Sequence, residues 1–241
     1  MNRRLINQNL LFGALLALTF TPTVNAEIIY DPATQFATTE NPNGVWSYHF
    51  SNDVIRDGSY NLMPEVAPII GNGSLAWHAD AGAATSQRPF VAVNTGANIG
   101  TWTAGDLAVH PGQSAGGVGD SLAVLSWTSP YTTTADLDYQ FELGLSGDVT
   151  WYVELNDDSQ TLATGSLIGS GANASVQLND ISVSVGDRLS FVVQSNGDPG
   201  SDLVRFTTST LSIPEPSSLI LVALSAVQVA RFRRRVRRQA I

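Results

Sequence analysis

Two carboxylates, three histidines and two acidic turns are the places where this chain could do chemistry. Glu142 in YQFELGLS and Glu154 in VTWYVELN stand on the polar faces of two successive alternating stretches. A glycosidic bond is cleaved between two such groups, one donating a proton and the other attacking or activating water. The same placement also describes the solvated face of an antiparallel sheet, and that is the reading adopted. His49, His78 and His110 each stand alone, with no second His or Cys at ligand spacing. A zinc site would need His49, His78 and an Asp to converge in space, so surface or rim histidines are expected instead. There is no G-x-S-x-G elbow, and a serine triad would need Ser, His and Asp in contact. No catalytic residue is assigned and the chain is read as a non-enzyme.

Binding chemistry has more to work with. NGDPGSD carries Asn196, Asp198 and Asp202, and NDDS carries Asn156, Asp157 and Asp158. Closely spaced oxygen donors suit calcium, which takes roughly six to eight of them. A structural calcium at Asn196, Asp198 and Asp202 is therefore the one metal the residues suggest, although polar turn chemistry explains both stretches without it. Sugars stack on flat rings. Trp46 and Tyr48 share one face of a strand, and Tyr152 points away from Trp151, so Trp46, Tyr48 and Tyr152 form the candidate sugar-binding set. Trp127 and Trp151 alternate with aliphatic residues and are assigned to the core. Trp77, Trp102 and Tyr131 fall near strand ends.

The elements that must position these residues are strands. Val149, Trp151, Val153 and Leu155 share one face while Thr150, Tyr152, Glu154 and Asn156 share the other. Tyr139, Phe141, Leu143 and Leu145 line up in the same way, as do Ile181, Val183 and Val185, then Leu189, Phe191 and Val193, then Val204 and Phe206. SLAVLSW is apolar on both faces, which predicts a central strand. VWSYHF, SLAWH, FVAVN, IGTWT and DLAVH are shorter candidates. Asn43-Gly44, Asn72-Gly73, Gly186-Asp187 and Asn196-Gly197 mark turns between them. Residues 112–121 and 164–175, rich in Ala, Gly, Ser and Thr, read as exposed loops. About ten short strands with such turns predict an all-β fold, an antiparallel β-sandwich wound like a jelly roll.

Charge separates the body from the ends. The chain has no Cys and no Lys, and its net charge is −9. Residues 27–213 hold twenty carboxylates against four arginines, a formal charge of −16. Phosphate backbones need a positive footprint, so nucleic acid is excluded as a partner of this body. Without cysteine there is no disulfide, and a body of roughly 190 residues does not need one.

Both ends look like sorting signals. Residues 1–26 read as a secretory signal peptide: Arg3 and Arg4, an apolar stretch from Leu10 to Phe20, Pro22, and Val24-Asn25-Ala26 before Glu27. Cleavage by the Sec pathway's peptidase is expected between Ala26 and Glu27. Residues 214–241 begin with Pro214-Glu215-Pro216, continue through Ser217-Ser218 and an apolar run from Leu219 to Ala230, and close with Arg231, Arg233, Arg234, Arg235, Arg237 and Arg238. As a helix that run spans roughly 20 Å, against about 30 Å of hydrocarbon, which predicts a short, temporary transmembrane anchor with its arginines on the cytoplasmic side.

This tail resembles the PEP-CTERM sorting domain. Pro214-Glu215-Pro216 matches the motif, Leu219–Ala230 the membrane segment and the six arginines the basic cluster. Gln228, inside the span, departs from the pattern. The resemblance implies an exported protein, held at the inner membrane, processed by an exosortase and displayed in the cell envelope or extracellular matrix with exopolysaccharide. Along residues 27–213, NPNGVWSYHF, AVHPG, SWTSP, VGDRLSFVV and NGDPGSD are similar to the β-sandwich bodies of such proteins and to carbohydrate-binding jelly rolls. That second likeness implies a glycan-binding module as the alternative function and, less strongly, a glycan-active enzyme.

Overall fold

Period-two alternation needs two apolar surfaces facing one another, and the chain supplies them as two sheets. The computed structural model describes residues 27–56, 58–80, 88–113, 120–156, 160–197 and 199–215. The signal peptide with Ala26, the arginine cluster, Pro216, Asp157, Asp158 and Asp198 lie outside the described residues. Glu27 opens the first strand, Pro214 ends the last and Glu215 follows it. Among the described residues no helix is long and apolar enough to cross a membrane.

The strands are β1 (Glu27–Tyr30), β2 (Trp46–Ser51), β3 (Asn61–Leu62), β4 (Glu65–Pro68), β5 (Leu75–His78), β6 (Phe90–Val93), β7 (Leu107–His110), β8 (Gly112–Gln113), β9 (Asp120–Thr128), β10 (Thr133–Leu143), β11 (Asp148–Leu155), β12 (Gln160–Ile168), β13 (Asn173–Val183), β14 (Arg188–Ser195) and β15 (Val204–Pro214). The first sheet has the order β13-β10-β15-β7-β6-β5-β4, with β1 also on β15. The second has the order β12-β11-β14-β9-β2-β3, with β8 also on β9. Every pairing between these strands for which the register is resolved is antiparallel. The fold is thus all-β, two antiparallel sheets forming a sandwich.

The core between the sheets contains Trp46, Tyr48, Leu125, Trp127, Tyr139, Phe141, Trp151, Phe191 and Phe206. Phe191 sits at its centre, 4.9 Å from both Phe141 and Phe206 in near edge-on contacts. Burying each such ring contributes about 1.5–3 kcal/mol, with a further ~0.5–1.5 kcal/mol from the ring geometry. Trp151 fits beneath β12 because Gly165 opposite it has no side chain; a Cβ there would lie 2.6 Å from the indole. Trp127 and Trp151 are core residues as expected.

Two segments fold back over the outer faces and bury what alternation alone would leave wet. Residues 94–106 cover the first sheet, where Trp102 packs on Ala76, Phe90, Ala92 and Ala108. Asn72 and Asn94 pin this segment: the Asn72 amide donates to Asn94 Oδ1 at 3.0 Å and the Asn94 amide to the Trp102 carbonyl at 3.0 Å. Residues 52–56 and 58–60 lie over the second sheet, where Tyr60 joins Leu122, Val124, Val192 and Tyr152.

Three expectations about strands need correction. Residues 112–121 are not one exposed loop: Gly112–Gln113 is β8 and pairs with Asp120–Ser121 at the start of β9. IGTWT is not a strand: Ile99 and Trp102 close a tight turn on each other, and Gly100, at φ +57°, packs against the Gly144 carbonyl. Residues 164–175 are not one exposed loop. Residues 164–168 belong to β12 and 173–175 to β13, because edge strands need few large apolar residues to keep their hydrogen bonds.

Candidate functional site

Polar side chains concentrate on the outer face of the second sheet. Registers place Ser47, Ser126, Ser190, Glu154 and Thr161 side by side across β2, β9, β14, β11 and β12. The next row is His49, Val124, Val192, Tyr152 and Thr164, and the one beyond is Ser51, Leu122, Gln194, Thr150 and Ser166. The β2 side of this face is sealed under the segment that ends at Tyr60, and there Ser126 and Ser190 share a hydrogen bond of 2.8 Å. On the β11–β12 side Thr161, Thr164 and Ser166 are exposed, while Thr150, Tyr152 and Gln194 are half-buried.

Glu154 ties the two halves together. Its side chain is 0% exposed, and it accepts from Arg56 Nη1 and, at 3.0 Å, from the Tyr60 hydroxyl. The Arg56 guanidinium also lies 3.7 Å from the centre of the Tyr152 ring. Tyr152 Oη in turn approaches Gln194 Oε1 at 3.5 Å. The arrangement is a half-open surface of hydroxyl and amide groups around a stacked Arg–Tyr pair. It can exchange hydrogen bonds with a polyol and offers a flat edge to pack against.

The sugar-binding set predicted from the sequence is split by this geometry. Tyr152 belongs to the half-open surface. Trp46 and Tyr48 do not: they are 1% and 0% exposed, on the inner face of β2. Their alternation was correct but their side faces the other sheet, so neither can offer a ring to a ligand.

The predicted carboxylate pair also separates. Glu142 and Glu154 were placed outward on neighbouring strands, but β10 and β11 belong to different sheets, so the two groups lie on opposite outer faces. Glu154 is buried rather than solvated. Glu142 faces Arg205, whose Nη2 donates to it at 2.9 Å while Nη1 reaches Asp106 at 3.0 Å and Nε donates to Thr101 at 3.0 Å. Hydrogen bonding from Thr101, and then Arg205, holds the Glu142 carboxyl below its usual range despite partial burial. It is an anchor for residues 94–106 and a poor proton donor.

The histidines are not at the surface. His49, His78 and His110 are 4%, 0% and 2% exposed. The covering segments that bury them are not visible in any local pattern. His78 and His110 flank Phe90 on adjacent strands, with ring centroids at 5.6 and 4.8 Å. His49 Nε2 lies 2.8 Å from Ser47 Oγ, but that pair is sealed in. Burial pushes His49 and His110 each down to about 4, with Arg188 adding to the effect at His49, and burial lowers His78 in the same direction.

At the calcium stretch, Asp198 lies outside the described residues. Asn196 Nδ2 donates to Asp148 Oδ1 at 2.8 Å and to Thr150 Oγ1 at 3.0 Å. Asp202 is buried, and its Oδ1 accepts from the Asp148 backbone at 2.8 Å. Asn156 likewise clasps a turn, donating to Asp187 Oδ1 at 3.1 Å and accepting from the Arg188 backbone at 3.0 Å. Among the described residues no three His, Cys, Asp or Glu side chains are grouped to hold a metal. Arg56, Tyr60 and Gln194 were missed from the sequence. Arg56, one of four arginines in an acidic body, was the signal that could have found the first.

No family model and no curated protein matches this chain. Among solved structures it is similar to CBM51 from Clostridium perfringens GH95 in complex with methyl-galactose, at 18% identity over 49% of this chain and 76% of that one, with a TM-score of 0.32. It is also similar to a carbohydrate-binding module of family 29, at 13% identity over 69% and 88%, TM-score 0.32. A third is the M60 catalytic domain with two CBM51 domains from Clostridium perfringens ZmpB, at 15% identity over 77% of this chain and 18% of that one, TM-score 0.36. Likeness this weak assigns neither ligand nor activity to this chain.

Proposed function

We propose that the protein is an exported, non-catalytic β-sandwich that binds a neutral glycan through the outer face of β11, β12 and β14. The observation that carries this is the half-open surface of Thr150, Thr161, Thr164, Ser166 and Gln194 around Tyr152 and Arg56. Sugars present donors and acceptors together, and hydroxyl and amide groups answer both. A body of formal charge −16 repels anionic polymers, which favours a neutral chain. The separation of Glu142 from Glu154 supports binding without cleavage. The winding from β9 to β15, which changes sheet at every connection except β11–β12, supports the jelly-roll description.

Glycan arrays probed with the protein should show saturable binding to neutral polysaccharides. Tyr152→Ala should weaken it at least tenfold, about 1.4 kcal/mol, with the far-ultraviolet circular dichroism unchanged. Equal binding by Tyr152→Ala, or no binding to any glycan, would remove this reading.

Export and sorting belong to the same proposal and rest on the two termini. The working protein is an envelope or matrix component, passed through the Sec machinery and processed by an exosortase near Pro214-Glu215-Pro216. Intact masses of material recovered from envelope and medium should match a chain beginning at Glu27 and lacking the arginine cluster. A full-length mass in both fractions would contradict it.

A further inference from the structure

The edges of a sandwich are where another chain can add a strand, and this one does not treat its edges alike. On one side they are blunted. β3 has two residues, and β4 carries Glu65 and Pro68 behind Pro64. The four-residue β1 begins with Glu27. On the other side β12 and β13, nine and eleven residues long, end their sheets, and no strand among the described residues pairs with their outer sides. Both edges fall largely within the longest run of the body without a charged side chain, Ser159 to Asn179. Neither contains proline.

The backbone there is straight as well as uncharged. Ala163–Ile168 pairs residue for residue with β11, and Asn173–Leu178 with β10; the register breaks fall beyond these stretches, next to Thr161 and to Ile181. Between the two edges lies an open groove of about 380 Å³ whose apolar lining is Leu155, Leu162, Leu178 and Ile181. All four are only partly buried.

We propose that this side of the sandwich receives a second copy of the chain. A two-fold axis perpendicular to the sheets pairs β12 antiparallel with the other copy's β12, and β13 with the other copy's β13. Such an interface is self-complementary: one axis, midway along the two straight stretches, serves both edges, and each copy's groove lies at its flank. Charge selects this occupant and this side. Two bodies of formal charge −16 repel wherever carboxylates meet, and along Ala163–Ile168 and Asn173–Leu178 like can approach like without a charged side chain, Asp180 standing beyond the paired stretch at the end of the groove. Each sheet would then continue through the axis, and the polar face of β11 and β12 would run on into its twin.

Sedimentation equilibrium of the full chain, with and without Ser175→Glu/Gln177→Glu, reads the effect directly. Both residues are exposed on β13 and lie away from the glycan-binding face. Like charges brought together across the axis should raise the dimer dissociation constant at least tenfold. Val66→Glu on β4 should leave it unchanged. Raising the salt from about 0.05 to about 0.5 M should tighten the dimer, because it screens repulsion between the bodies. Apolar termini can associate in their own way, and local amide hydrogen exchange separates that route. In the unaltered chain, Ala163–Ile168 and Asn173–Leu178 should gain protection as concentration rises. A chain that stays monomeric overturns the proposal. So does an unchanged dissociation constant in the double variant, or association with no protection at these two edges. If the double variant fails to fold, the exchange measurement decides alone.

Discussion

Between pH 7.5 and pH 4 the protein is expected to lose about 6 kcal/mol of stability through two side chains, His49 and His110. Both are buried, and burial pulls each from about 6.5 in the unfolded chain down to about 4 in the fold. The unfolded chain therefore binds more protons than the fold throughout that interval, so stability falls as pH falls. At pH 4 each depressed group accounts for about 3 kcal/mol, and below that the loss from these two levels off. By pH 5 about two-thirds of it is already present. His110 is packed face to face with Phe90 and has His78 across the same ring, so a proton on one imidazole also opposes a proton on the other. His49 faces Arg188, a fixed positive charge, which acts the same way. Urea midpoints measured from pH 8 to pH 4 should fall steadily below about 6.5. The slope should flatten by roughly half in His110→Asn, which removes one of the two groups. A midpoint that does not move between pH 7 and pH 5 would mean that these rings meet water in the native state.

The long strands of the sandwich were legible because their apolar pattern is strong and their turns are marked. β10, β11 and β14 were visible as runs in which every second residue is large and apolar, the start of β15 in the same way, and β9 as a run apolar on both faces. β12 was not, because its inward positions include Ala163 and Gly165, and at Gly165 any side chain would meet Trp151. The same economy hid the first half of β13. What alternation cannot reveal is which face meets the second sheet and what crosses the other one. Trp46 and Tyr48 look alike whether they point in or out. Glu142 and Glu154 stand twelve residues apart in similar contexts, yet the connection at 144–147 carries the chain from one sheet to the other. The three histidines alternate as surface residues would, yet each is buried by contacts between residues distant in sequence: His49 lies near Tyr60 and Arg188, and His110 near Arg88 and Pro199. The candidate glycan surface was legible only at Tyr152, since Arg56 reaches it from ninety-odd residues away.

Arg56→Ala is expected to cost about 3–5 kcal/mol, more than removal of its partner, and the difference comes from which member of the pair is buried. The Glu154 side chain is fully buried, while that of Arg56 is 28% exposed. Without the guanidinium, a buried carboxylate keeps only the Tyr60 hydroxyl among its named donors, and an uncompensated buried charge is the costly state. Glu154→Gln keeps the volume and the hydrogen-bonding oxygen, and the exposed end of Arg56 can turn to water, so about 1–2 kcal/mol is expected. Arg56→Ala also removes the cation from the Tyr152 ring, a contact contributing about 0.5–1 kcal/mol at a half-exposed site. The double variant Arg56→Met/Glu154→Leu, which replaces the pair by apolar groups, should recover much of the loss suffered by Arg56→Ala, because no charge is left buried. Urea unfolding of the three variants measures the order. Equal costs for Arg56→Ala and Glu154→Gln would show that Glu154 reaches solvent. In that case the covering segment would rest on the sheet through Tyr60 and its apolar neighbours, and the polar row beneath it would be open to a ligand along its whole length.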